Sequence, residues 1–201
     1  MRIAVVEPDG AGGLAHYAFQ VSAALTEAGA DVTLITSPHW ELAHLDRQFS
    51  VEQTIDLWPA VEKPVGSGKV SSVRLLLSRV RRVGRAFRYV WAWEKLTRSL
   101  MRSRPDIVQF SAIHFTFQSF FLHRMRRSGL VLTQICHEFE LRESRFALTR
   151  RIDNRLARAL YRAFSVLFFH GENTLEQFRS RVGEPSGTVA TIPHGNQALL
   201  A

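Results

Sequence analysis

Apolar and polar positions along the chain follow two alternating rhythms. Short runs rich in apolar or β-branched residues recur at Arg2–Val6, Asp31–Thr36, Asp106–Phe110, Leu130–Cys136, Ser165–Phe169 and Thr188–Ile192. Each reads as a strand. Between them the spacing is helical. After a glycine-bearing turn, Phe19, Val21, Ala24, Leu25 and Ala28 mark out one helical face, with Gly29 as its C-cap. Further helices are expected near Val70–Ser103, His114–Ser128, Leu148–Phe164 and Asn173–Val182. Strands that alternate with helices predict βαβ units. The run "SVLFF" lacks polar alternation, as a strand covered on both faces does. The fold class expected is therefore α/β, a mostly parallel sheet with helices on both faces. Pro59–Gly68 is the clearest internal loop, and residues 1–201 read as one domain.

Composition leaves this picture intact. The chain is 46% hydrophobic and 22% charged, an ordinary globular balance. Its 201 residues suffice for one well-buried domain and are tight for two. No fixed-period repeat is present, which excludes a solenoid. The single cysteine, Cys136, excludes an internal disulfide framework and fits a reducing compartment. The N-terminal "IAVV" is too short for a signal-peptide core. No uncharged apolar run approaches the ~20 residues of a spanning helix. A cytoplasmic location is expected.

Charge does change the picture. The net charge is +8, and its excess is concentrated between Lys69 and Arg104, where eleven Lys or Arg face one acid, Glu94. In that segment Val73, Leu76, Leu77, Val80, Val83, Phe87, Val90 and Trp91 fall at helical spacing. Arg74, Arg81, Arg82, Arg85 and Arg88 lie largely on other faces, and Tyr89 and Trp93 add aromatic groups suited to an interface. One reading is a helix lying on an anionic membrane surface, with the arginines and Trp91 at the boundary. The plainer reading is a core-packed helix with a solvated arginine face. Nucleic acid is not expected as a partner, because no pattern of a nucleic-acid-binding module accompanies the basic residues.

The chemistry centres on Asp9–Tyr17, "DGAGGLAHY", between the first strand and the first helix. The spacing Gly10-x-Gly12-x-x-Ala15 matches a relaxed dinucleotide fingerprint, whose glycines let backbone N–H groups approach a diphosphate. Two features weigh against a nicotinamide cofactor. "EPD" stands between the strand and the first glycine, and the second strand ends in Thr36–Ser37, with no acid for a ribose hydroxyl. A β–α turn without a ligand is the plain alternative. "VGSGKVSS" at Val65–Ser72 fails as a P-loop, with Lys63 where a glycine is needed and Val70 where Ser or Thr is needed. Cys136 and His137 are neighbours on a strand, so they point to opposite faces and make a poor nucleophile–base pair. Cys136 reads as a buried small apolar side chain. His137 ends a strand and His194 follows another, which would place both on the same rim as the glycine turn.

Together these segments resemble a known family. "GAGGLAHYAFQVSAALTEAGADVTLIT", "RPDIVQFS", "QICHEFE", "LFFHGENTLEQFRSRVG" and "TVATIPHGN" stand in an order similar to the N-terminal half of a GT-B glycosyltransferase of the family 4 type. The resemblance covers nearly the whole chain. It implies a Rossmann-like domain that binds the acceptor, with a C-terminal domain or a separate subunit holding most of the nucleotide-sugar donor. The chain alone would then be an incomplete enzyme. Gly12 and Gly13 match the glycine pair that approaches the donor diphosphate and the acceptor. His137 matches the histidine bordering the transferred sugar and is the catalytic candidate. Glu138 stands where the family more often has Asp. His194 and Gly195 match a hinge. Asp9 and His16 flank the turn as acceptor contacts. The resemblance implies no cofactor beyond the nucleotide-sugar co-substrate. No metal is expected, since this fold usually needs none and the sequence has no D-x-D motif. The acceptor implied is a polysaccharide or lipid-linked glycan, met at the inner face of the membrane. The alternative is a non-catalytic membrane-anchoring subunit that recruits a separate donor-binding subunit.

Overall fold

A computed structural model of the chain describes residues 1–54, 72–113, 115–136 and 155–192; of residues 72–83 and 85 it describes the backbone alone. Seven strands run Arg2–Glu7 (β1), Asp31–Thr36 (β2), Ser50–Gln53 (β3), Ile107–Phe110 (β4), Val131–Cys136 (β5), Val166–Phe169 (β6) and Thr188–Thr191 (β7). They form one sheet in the order β3-β2-β1-β4-β5-β6-β7. Every pairing is parallel, with Ile3 opposite Val32 on one side and Ile107 on the other. The chain thus starts in the middle, winds outward to β3, then crosses back to β4 and winds the other way. Helices are Gly13–Glu27 (α1), Ser72–Ser103 (α2), Ser119–Arg127 (α3, after a 3-10 turn at Thr116–Gln118), 155–161 (α4) and Glu172–Val182 (α5).

The sequence of β1 shows why the sheet is central. Ile3, Ala4, Val5 and Val6 are all buried, and alternate residues enter two different cores. Ile3 and Val5 join Val32, Leu34, Ala15, Ala18, Phe19, Trp40 and Phe49 under α1. Ala4 and Val6 join Val108, Phe110, Leu132 and Leu167 under α2 to α5. The second core is aromatic, with Trp93 of α2 stacked on Phe110 of β4 at 6.0 Å and Phe169 of β6 edge-on to Phe178 of α5 at 5.3 Å. The expected α/β class, parallel pairing and two-sided helix cover are therefore present.

Three details differ from the sequence reading. Strand β3 was not expected, because "SVEQ" is an edge strand that is mostly exposed and carries no apolar run. The buried face of α1 is Ala15, Ala18, Phe19 and Ser22, whereas Ala24 and Ala28 are exposed. That helix runs from Gly13 to Glu27 with Ala28, not Gly29, as its C-cap; Gly29 is one position further on, where its N–H and that of Ala30 close the last turn onto Thr26 and Leu25. Tyr89 and Trp93, assigned to an interface, are core residues instead. Their face of α2, shared with Leu96 and Leu100, packs on the sheet. Among the described residues no helix is long and apolar enough to cross a membrane. The Pro59–Gly68 loop lies outside the described residues.

Candidate functional site

Because all seven strands are parallel, the loops that leave their carboxyl ends gather on one rim. The strand order reverses between β1 and β4, the place where an open α/β sheet leaves a crevice. The glycine turn opens there. Gly10 has a φ of +69°, and a Cβ on it would stand 2.6 Å from the Ser37 Cβ, so only glycine lets the turn approach the loop after β2. Gly12, at φ +81°, is the N-cap of α1.

This loop after β2 reaches back over the turn. The Glu41 N–H donates to the Gly10 carbonyl at 3.0 Å. One carboxylate oxygen of Glu41, Oε1, accepts the Gly12 N–H at 2.7 Å and lies 3.2 Å from His16 Nε2. Trp40 and Leu42 on either side are buried in the α1 core, so the loop is anchored where it makes this contact. No acidic residue lies in the first turn of α1. Glu41 therefore supplies from 29 positions away the negative charge that the positive end of a helix favours. The carboxylate sits on one of the N–H groups that the resemblance assigns to a diphosphate.

Two further sets of hydrogen bonds lie after β1 and after β4. Glu7, at the end of β1, is fully buried, and its Oε1 accepts the Asp9 N–H at 3.0 Å. Gln118 accepts the Phe115 N–H at 2.7 Å and donates to the Tyr89 hydroxyl at 2.8 Å. Burial pushes the Tyr89 hydroxyl pKa up to about 12, and the nearby negative charge of Asp9 acts in the same direction. Tyr89 stays a neutral hydrogen-bonding group at physiological pH. From the far side of the sheet, His170 follows β6 and meets Tyr17 of α1 edge-on, with ring centroids 5.4 Å apart. Burial also raises the Tyr17 pKa.

Of the residues singled out from sequence, Asp9, Gly12, Gly13 and His16 come together at this rim. Strands β5 and β7 end on the same rim, but His137, Glu138, His194 and Gly195 lie outside the described residues. Glu7, Glu41, Tyr89 and His170 were not assigned to the site from sequence. Only His170 carried a visible signal, as a histidine between a strand and the glycine that opens α5. Cys136 is buried, and burial pushes its thiol up to about 12, as expected of an inert core cysteine. Among the described residues no three His, Cys, Asp or Glu side chains converge as metal ligands do. In α2, Arg88 and Trp91 are exposed. The side chains of Arg74, Arg81, Arg82 and Arg85 lie outside the described residues.

Comparison with known proteins identifies this architecture. Anabaena HepE, solved in complex with UDP-glucose, is 14% identical with a TM-score of 0.55; the match covers 98% of this chain and 44% of that one. Acinetobacter baumannii MurG is 17% identical with a TM-score of 0.52, over 94% of this chain and 44% of that one. Glycyrrhiza uralensis UGT73P12, complexed with glycyrrhetinic acid 3-O-monoglucuronide, is 11% identical with a TM-score of 0.55, over 98% and 49%. The chain thus spans about half the length of these GT-B proteins, and the likeness is one of fold. No curated protein matches by sequence. A family model described as Glycosyltransferase Family 4 matches residues 11–196, and on that match across most of its length the chain belongs to Glycosyltransferase Family 4.

Proposed function

We propose that the chain is the acceptor-side, N-terminal domain of a GT-B glycosyltransferase that moves a sugar from a nucleotide-sugar donor to a glycan or lipid-linked acceptor. The observation that carries this reading is the glycine turn. It opens on the β1–β4 crevice, at the N-terminus of α1, in a chain of this family. In sugar transfer the bond from the anomeric carbon to the diphosphate breaks while a bond to the acceptor hydroxyl oxygen forms. The hydroxyl proton departs, and the leaving diphosphate gains negative charge. Backbone N–H groups around Gly12 and Gly13, on the positive end of α1, would stabilise that charge once the diphosphate replaces the Glu41 carboxylate on the Gly12 N–H. Asp9 and His16 stand beside the turn, where an acceptor hydroxyl would be oriented. His137 and Glu138 are proposed to border the sugar, and His194 and Gly195 to form the hinge towards a donor-binding domain. No metal or cofactor is assigned a role.

A thermal-shift series with millimolar UDP-, GDP- and ADP-sugars tests the site. Ligand that binds only the folded chain raises Tm by mass action. One nucleotide class is expected to stabilise the protein, and Gly12→Val, which places a β-branched side chain at positive φ, is expected to abolish the shift. An equal shift in Gly12→Val would overturn the assignment of the turn to the diphosphate, and no shift in either protein would leave the donor wholly to the second domain. Sugar transfer by the purified chain alone is expected to be absent, and robust turnover would show that no further domain is needed. One observation favours the second reading, a membrane-anchoring subunit that recruits a separate donor-binding subunit: α2 exposes Phe87 and Trp91 to solvent.

A further inference from the structure

A second concave site lies at the end of the sheet opposite the glycine turn. Strands β6 and β7 begin at Val166 and Thr188, and in a parallel sheet the strand starts share one end, the base. There a cavity of about 300 Å³ opens between α4 and the end of α5. Tyr161 and Phe178 line it, two buried rings that meet edge-on at 4.9 Å. Arg158 and Arg162 line it from α4 and the residue that follows that helix, and residues 183–186 line it from the turn after α5.

The backbone around this cavity is pinned. The Thr188 N–H donates to the Ser165 carbonyl at 2.9 Å. A Cβ on Gly187 would stand 2.6 Å from that same oxygen, so only glycine lets the turn press against the start of β6. Arg158 Nε donates to the Val182 carbonyl at 2.7 Å, taking up one of the carbonyls left over at the end of α5. That bond anchors the guanidinium and leaves its two terminal nitrogens without a partner. The Arg162 N–H donates to the Arg158 carbonyl at 3.1 Å, so the two side chains stand one helical turn apart. Arg126 of α3 donates to the Arg162 carbonyl and adds a third guanidinium at this end of α4.

The charge here is uncompensated. Residues 155–165 carry three arginines and no acid. Glu184, the acid that lines the cavity, is engaged by Arg179 at 3.3 Å. Among the described residues neither Arg158 nor Arg162 is paired with a carboxylate. Like charges one turn apart repel, and a concave surface of one sign concentrates the opposite ion. We propose that this cavity binds a phosphoryl group, as free phosphate or on a small phosphate ester. Guanidinium groups meet phosphate oxygens bidentately, and two of them balance a dianion. A cavity of this size is at the small end of ligand sites and leaves room for an organic part against the two rings. The site is remote from the β1–β4 crevice and does not rest on the proposed transfer reaction.

Titration calorimetry at fixed ionic strength, with inorganic phosphate and with glucose 6-phosphate, tests this. The wild-type chain is expected to bind, and a preference between the two probes tells free phosphate from an ester. Arg162→Gln is expected to weaken binding by about tenfold, the size of one charge-assisted hydrogen bond. Its Tm without ligand should not change, because the Arg162 side chain is exposed and makes no hydrogen bond or ion pair. Arg158→Gln should weaken binding too, but it also releases the Val182 carbonyl, so the Arg162 variant decides. Arg88→Gln removes the same charge from an exposed position on α2 and is expected to bind like wild type. Glu41→Gln, which alters the glycine turn, should leave this binding as it is. No binding of either probe to the wild-type chain overturns the proposal. So does Arg162→Gln binding like wild type, or Arg88→Gln losing as much. A rise in phosphate affinity in Glu41→Gln would place the anion at the glycine turn and overturn it as well.

Discussion

Glu41 is the residue that most changes the reading of the glycine turn. A bound carboxylate on the Gly12 N–H competes with any incoming phosphate for the same donor and repels it. Glu41→Gln keeps an oxygen to accept the Gly12 N–H and removes the charge. Nucleotide-sugar affinity, read by titration calorimetry, is expected to rise by about two- to fivefold, the size of one charge at a helix end. A fall in affinity would mean that the Glu41 charge holds the turn in its binding shape. The glycines of this turn were legible because their spacing is local. Glu41 was not, since its contact with Gly12 spans 29 residues and no short motif records it. Glu7 was hidden differently. It looks like the polar end of a strand, and its complete burial is a property of the sheet around it.

At the scale of elements, strands buried on both faces were read most closely from sequence, because their apolar runs are continuous. Strand β2 has the bounds expected for it, Asp31–Thr36. Edge strand β3 carries no such run and went unseen. Helical spacing placed α2 within two residues of its start and at its observed end, but assigned Tyr89 and Trp93 to the wrong face. A helix with apolar residues on two sides gives no single periodicity from which to choose. The pairing of α2 with α3 carries a pH signature. Hydrogen bonding from Arg124 holds the Glu94 carboxyl below its ordinary value, with Arg98 one turn on adding to the effect against the opposing cost of desolvation. A carboxyl depressed in the folded state contributes stability above its unfolded pKa, and loses it as pH falls through the folded value. Glu94→Gln is thus expected to lower stability at pH 7 by about 1 kcal/mol or less, as befits a partly exposed pair. Urea midpoints of the two proteins should converge as pH drops below the range near 4.3 where a free glutamate titrates. A gap that stays constant down to pH 2 would assign the loss to packing instead.

For the molecule as a whole, the α/β class, the parallel sheet and the family were legible from the order of weak motifs, none of them decisive alone. The contacts that build the rim were not, because they join loops leaving different strands. The same topology has a kinetic consequence. The β1–β4 seam, on which the glycine turn opens, pairs Ile3 with Ile107 and is closed at its base by the Arg2 N–H donating to the Asp106 carboxylate across 104 positions. Closing so long a loop takes its entropy before any contact repays it, so pairing of this kind is slow and comes late. On a ribosome, β1 and β2 emerge with their central neighbour still unmade. The crevice can close only after α2 and β4 have been synthesised. Stopped-flow refolding is expected to show tryptophan burial around Trp93, which packs on β4, appearing together with the slowest sheet-forming phase rather than before it. Assembly of the rim would then be the closing act of folding, and a chain caught earlier would present a half-finished sheet with β1 unpaired along one side.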